Sequence, residues 1–229
     1  MKKRIIAFFA AITVALTSTT AYAHTGEYWR GVHLNDKQKD MCIVIRKSAI
    51  NSLLTEEVYR TGVSFWNNIS SNVKVSVEFE ENSSPHDLLI YMALQKSMVV
   101  GKTTLELEGR VGYTQPYDKN GNPLDGEIGD NSDWWLAQIQ MNIDESAYSV
   151  ASKPALTAKK VYIHEVGHAL KLTHPKCNPS LDLHSYGDGY PLSVMNQGIP
   201  YSYAEGKGGA TSDVPKYHDI INLKAKWGE

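Results

Sequence analysis

The chain has 229 residues, with 23 basic against 25 acidic side chains, a formal charge of −2 and 42% hydrophobic residues. That length allows one domain with a sizeable core, or one domain plus a short extension. No large basic block is present, so the electrostatic footprint of a nucleic-acid-binding protein is missing and no nucleic-acid partner is expected.

Residues 1–23, MKKRIIAFFAAITVALTSTTAYA, read as a secretory signal peptide: three basic residues, an apolar run from Ile5 to Leu16, and a small-residue exit at Ala21-Tyr22-Ala23. The apolar run is too short to span a bilayer. The mature chain is therefore expected to be exported and extracellular, as from a bacterium, with no membrane partner and as a monomer. Loss of Lys2, Lys3 and Arg4 leaves 20 basic against the 25 acidic residues. Residues 24–42 form an N-terminal segment of unassigned role, and residues 43–229 the one expected domain. His24 would become the new amino terminus, where an amine plus imidazole can chelate copper, but no second-histidine context supports that reading.

From Leu54 through Val58, Phe65, Trp66 and Ile69 the apolar spacing is helical and predicts a long amphipathic helix. Val73, Val75, Val77 and Phe79 then alternate with polar residues as a half-buried strand. DLLIYMAL, 87–94, lacks alternation and suits a strand buried on both faces. LEGRVGYTQP, 107–116, is more polar and ends in proline, which suits a sheet edge. AQIQMNI, 137–143, alternates again, with Ile139, Met141 and Ile143 on one face.

Between these last two runs lies a polar loop carrying Asp118, Asn120, Asn122, Asp125, Glu127 and Asp130, oxygen donors of the kind Ca2+ uses. The EF-hand spacing fails, because its turn glycine would fall on Pro123. Turn formation alone also accounts for Asn120-Gly121-Asn122-Pro123. Ser152 and Pro154 open another helix, running to about Lys171. Asp213 and Pro215 open a last one, with Tyr217, Ile220, Ile221 and Trp227 on one face. The expected fold is α/β, a mixed sheet with helices on either side of it in sequence.

Cys42 and Cys177 are the two cysteines. Export permits a disulfide between them, two buried free thiols are the alternative, and a metal-binding latency role for Cys42 is a third reading.

The segment HEVGHALKLTHP, 164–175, carries three histidines and a glutamate. On a helix, positions four apart lie about 40° apart around the axis and about 6 Å along it, so His164 and His168 project side by side and can converge on one cation. Glu165 is offset from His164 by about 100°, close enough to flank a bound metal without ligating it. This is the HExxH zinc spacing, with glutamate as general base. If the helix continued, His174 would lie roughly 9 Å beyond His168 and far around the axis. The chain must therefore turn near Leu170 or Lys171, and Pro175 supports this by excluding His174 from helix. His184 and His218 fall outside the spacing and are read as surface or hydrogen-bonded residues.

HEVGHALKLTH resembles the metzincin zinc-protease pattern HExxHxxGxxH, and SVMNQG, 193–198, is similar to the methionine turn that follows it, with Met195 as an apolar base beneath the metal. KYHDIINLKAKWG resembles the closing helix of matrixin-type domains and GRVGYTQP their substrate-binding edge strand, while Pro175 is similar to the serralysin branch. Lys171 departs from the pattern, standing where the family has a glycine in a left-handed turn. Gln197 stands where several members have a tyrosine, and Tyr201 or Tyr203 could approach the cleft instead.

The resemblance implies an α+β fold in which a twisted mixed sheet with an antiparallel edge strand supports an active-site helix and a C-terminal helix. It implies Zn2+ held by His164, His168 and His174, with Glu165 taking a proton from water during peptide-bond hydrolysis. The implied partner is a protein or peptide substrate lying along the edge strand, with IPYSY, 199–203, beside its side chain. The competing reading is a secreted, non-catalytic, zinc-stabilised binding protein, against which the presence of Glu165 speaks.

Overall fold

The computed structural model describes residues 27–79, 88–95, 97–100, 103–106, 112–124, 131–142, 154–175, 193–196 and 212–229. The signal-peptide stretch, His24, Cys177, His184, Gln197, Tyr201 and Tyr203 lie outside these residues. Among the described residues no helix is long and apolar enough to cross a membrane.

The main sheet has five strands: β1 (Met41–Ile45), β2 (Val75–Phe79), β3 (Leu88–Gln95), β6 (Gly112–Tyr117) and β7 (Leu136–Asn142). Their order is β2-β1-β3-β7-β6. All neighbours run parallel except the last pair, in which β6 lies antiparallel to β7. Two short strands, β4 (Ser97–Val100) and β5 (Thr103–Glu106), form a separate antiparallel pair. The sheet is thus mixed, with an antiparallel strand at one edge.

β1 carries the run MCIVI and is buried along its whole length, as expected of a strand with neighbours on both sides. Cys42 is a buried free thiol in this strand, away from the histidine cluster described below. In β7, Ala137, Ile139 and Met141 form the apolar face, while Gln140 and Asn142 are also buried on the other face.

Helix α1 (Glu56–Ser64) begins where Thr55 Oγ1 accepts the Val58 amide and acidic Glu56 and Glu57 sit in the first turn. It is shorter than the apolar spacing predicts. Beyond Ser64 the chain is taken over by tertiary partners: Trp66 Nε1 donates to Ile163 O, and Asn67 exchanges two side-chain hydrogen bonds with the backbone of Val75, each 2.8 Å. Asn67 thereby acts as a strand partner, and Asn68 turns the chain at φ 68°.

Helix α2 (Pro154–Ala169) is buried almost all round and packs against α1, β6 and β7. Helix α3 (Tyr217–Trp227) differs from expectation in the face it buries. Tyr217 is 68% exposed, and the inward residues are His218, Asp219, Asn222 and Leu223. Polar groups orient this helix: Asn222 Oδ1 accepts the Glu27 amide, and Asp219 reaches the 193–195 turn.

The loop after β6 folds around Asp118, whose Oδ1 accepts the amides of Asn120 and Asn122 at 2.8 Å and whose Oδ2 accepts Asn122 Nδ2 at 3.0 Å. Its carboxylate is engaged as a turn former. Asp125, Glu127 and Asp130 lie outside the described residues.

Candidate metal centre

Helix α2 ends in a Schellman arrangement. Leu172 N donates to Gly167 O at 3.0 Å, Lys171 N donates to His168 O at 2.7 Å, and Lys171 adopts φ 68° between them. Glycine usually takes this left-handed position; here a lysine does. The reversal brings His174 back over the helix.

His174 Nε2 lies 3.0 Å from His164 Nε2 and 3.0 Å from His168 Nε2. The three rings offer ligand atoms within 4.8 Å of one another and could together hold a metal ion. Two of the rings are oriented by backbone carbonyls. His164 Nδ1 donates to Val194 O and His168 Nδ1 to Leu172 O, both at 2.8 Å. A carbonyl can only accept, so each Nδ1 carries the proton and each Nε2 lone pair faces the cluster.

Burial holds all three rings neutral. Desolvation, then the Lys160 charge and the neighbouring histidines, push His164 well below its ordinary value. His168 is lowered to about 3 by desolvation and by His174. His174 is lowered to about 4 by desolvation and Lys160. Neutral imidazoles are the form that ligates metals.

Glu165 is 5% exposed and sits beneath β6. Its Oε2 accepts Thr114 Oγ1 at 2.7 Å, and a Cβ at Gly112 would come within 2.9 Å of its Oε1. Only glycine lets the edge strand approach this closely. Burial raises the carboxyl to about 7, against the opposing effects of the Thr114 hydrogen bond and Lys160. Such a group can hold or release a proton near neutrality.

Met195 is 1% exposed, and a Cβ at Gly167 would lie 2.3 Å from its sulfur. Gly167 is therefore needed for the 193–195 turn to pack under α2. That turn is held by Asp219, whose Oδ1 accepts Ser193 Oγ at 2.5 Å and whose Oδ2 accepts Val194 N at 3.0 Å and Lys216 N at 2.8 Å. Lys160 Nζ adds a bond to Asn196 O at 2.6 Å. Its approach to His164 Nδ1 at 3.5 Å brings two donors together and is no hydrogen bond, because that nitrogen already donates to Val194.

Spacing and the proline after His174 had pointed to the three histidines and Glu165. Thr114, Asp219 and Gly167 carry no motif of their own, although Asp219 is an acidic residue in the first turn of its helix. His218, read as a surface or hydrogen-bonded residue, is buried rather than on the surface, with its Nε2 2.8 Å from Glu27 Oε2.

No protein family matches the chain, and no curated protein matches it. Among solved structures, it is similar to a chain of one titled "GM1 bound form of the ECX AB5 holotoxin", at 14% identity over 87% of each chain, with a TM-score of 0.46. So remote a likeness assigns neither a family nor an activity.

Proposed function

We propose that the protein is a secreted zinc endopeptidase of the metzincin type. The observation that carries this reading is the convergence of three neutral imidazole nitrogens, with the buried carboxylate of Glu165, the residue next to His164, held under the antiparallel edge strand by Thr114. Three histidine nitrogens are a donor set suited to zinc, and with Zn–N distances of about 2.0–2.1 Å a tetrahedral site separates its nitrogens by about 3.3 Å, close to the 3.0 Å seen here. His164, His168 and His174 would hold the ion.

When bound, zinc supplies Lewis acidity, lowering the pKa of water toward 7 and polarising a carbonyl. Glu165 takes up the proton released from water on its Oε1 side, its Oε2 being held by Thr114, and returns it to the departing amine. β6 aligns an extended peptide by strand addition. Pro116 O, turned away from β7, already accepts Leu124 N at 2.9 Å, so the same alternation turns the backbone groups of Gly112 and Thr114 outward toward substrate.

The test is cleavage of casein or gelatin by the processed chain, with and without a zinc chelator and with Glu165→Ala. Chelation and the substitution should each abolish turnover. Undiminished cleavage with chelator would end the metal reading, and undiminished cleavage by the variant would end the role of Glu165.

A further inference from the structure

Residues 27–29 lie across the turn that carries the third histidine. Tyr28 forms an antiparallel bridge with Leu172, flanked by Trp29 N donating to Lys171 O at 2.8 Å and Thr173 N donating to Glu27 O at 3.1 Å. In such a bridge the central pair turn their own amide and carbonyl away from each other. Leu172 therefore directs both groups back at helix α2: its amide to Gly167 O at 3.0 Å, its carbonyl to His168 Nδ1 at 2.8 Å. The strand pairing and the orientation of a metal-facing ring are thus two sides of one residue.

The Trp29 side chain reaches the same ring from another direction. Its indole stacks on His168 with centroids 5.2 Å apart and planes 26° apart, and is itself braced by Trp134 at 5.5 Å. The far end of the strap is tied to α3 through Glu27 N and Asn222 Oδ1 at 3.0 Å, and through Glu27 and His218. His168 is thereby fixed in plane by Trp29 and in tautomer by Leu172.

We infer that the 27–29 strap is a positioning element of the metal centre, with Trp29 as the positioning residue that sets the ring plane of His168. This rests on the metal reading above. It assigns a role to a stretch whose sequence carries no motif. Groups that orient a metal-bound histidine typically change metal affinity by about 10–100-fold when removed.

The test uses the processed full chain, stripped of metal, with zinc affinity measured by competition with a chromophoric chelator and the site geometry by the visible spectrum of bound Co2+. Trp29→Ala and the bulkier Trp29→Leu, which keeps apolar volume for folding, should weaken zinc binding about 10–100-fold and shift the Co2+ bands. Trp29→Phe, which keeps an aromatic face, should restore most of both. Ile45→Val, a loss of core packing in β1, should lower stability and leave both readouts unchanged. Wild-type zinc affinity and spectrum in Trp29→Leu, or an equal loss in Ile45→Val, would overturn the positioning role while leaving the metal reading intact. A wild-type chain that binds no zinc would overturn both.

Discussion

Lys171 Nζ donates to the carbonyl oxygen of Ser132 at 2.7 Å, from a side chain with no exposed surface, while the Lys171 backbone stands at φ 68°. The same ammonium lies 3.9 Å from the centre of the Trp134 ring. A left-handed backbone costs a residue with a Cβ about 1–2 kcal/mol. A charge-assisted hydrogen bond of about 1.5–3 kcal/mol and a desolvated cation–π contact of about 2 kcal/mol are enough to offset it. The lysine replaces the freedom of glycine with an anchor to the 131–134 segment.

Two substitutions separate these effects. Lys171→Ala keeps the backbone cost and loses the anchor, whereas Lys171→Gly loses both. Lys171→Gly should therefore be more stable than Lys171→Ala by about 1 kcal/mol, with both below wild type. Denaturant unfolding of the three proteins checks the order. A glycine variant more stable than wild type would mean that the anchor contributes nothing.

Thr114 Oγ1 holds one oxygen of Glu165 and leaves the other beside Gly112. Thr114→Val preserves shape and removes the hydroxyl. If the chain hydrolyses peptides as proposed, kcat should fall about tenfold, the scale of one hydrogen bond to a charged group, with KM little changed. Thr114→Ser should recover most of the loss. Steady-state kinetics on one peptide would decide it, and an equal defect in both variants would argue for packing instead.

Asp219 connects α3 to the turn that orients His164, since Val194 donates its amide to Asp219 and offers its carbonyl to His164. Asp219→Asn replaces one of the two acceptor oxygens by an NH2, which must then face either the Ser193 hydroxyl or the Val194 and Lys216 amides. The expected loss is about 2–4 kcal/mol of stability, from buried donors left without partners. If the three histidines hold zinc as proposed, zinc affinity should fall as well, because His164 loses its fixed acceptor. A variant that unfolds at the wild-type denaturant concentration would refute this.

The clustered histidines were legible because their signal is local: one helical turn separates His164 from His168, and Pro175 supports the exit of His174 from the helix. A reversal near Leu170 or Lys171 follows from the same spacing, its left-handed form at Lys171 only from the resemblance, and Pro116 marks β6 as an edge. What could not be read depends on partners distant in sequence. Helix α1 stops early because Asn67 pairs with Val75, and α3 turns Tyr217 outward because Asp219 and Asn222 find buried acceptors and donors. The strap at residues 27–29 has neither periodicity nor apolar pattern of its own. Its conformation is imposed by backbone bonds to residues 171–173, which no window around Trp29 contains.

His33 contributes to the acid sensitivity of the fold, beside the three clustered histidines. Its Nε2 donates to Ala169 O at 2.8 Å and its ring stacks on Trp227 with centroids 5.4 Å apart. Burial, then the charge of Lys171, lowers it to about 3. The folded state therefore favours the neutral ring. Its contribution to stability is complete above the unfolded value of about 6.5 and is lost as pH falls from there toward about 3, because unfolding takes up a proton in that window. The slope approaches about 1.4 kcal/mol per pH unit midway through it. His33→Phe keeps the stacked ring and cannot titrate, so the metal-free variant should show a shallower loss of stability between pH 6 and pH 4, by about one proton. Denaturant unfolding at several pH values gives the two slopes, and equal slopes would show that His33 is protonated in the fold and that its burial lacks the assigned effect.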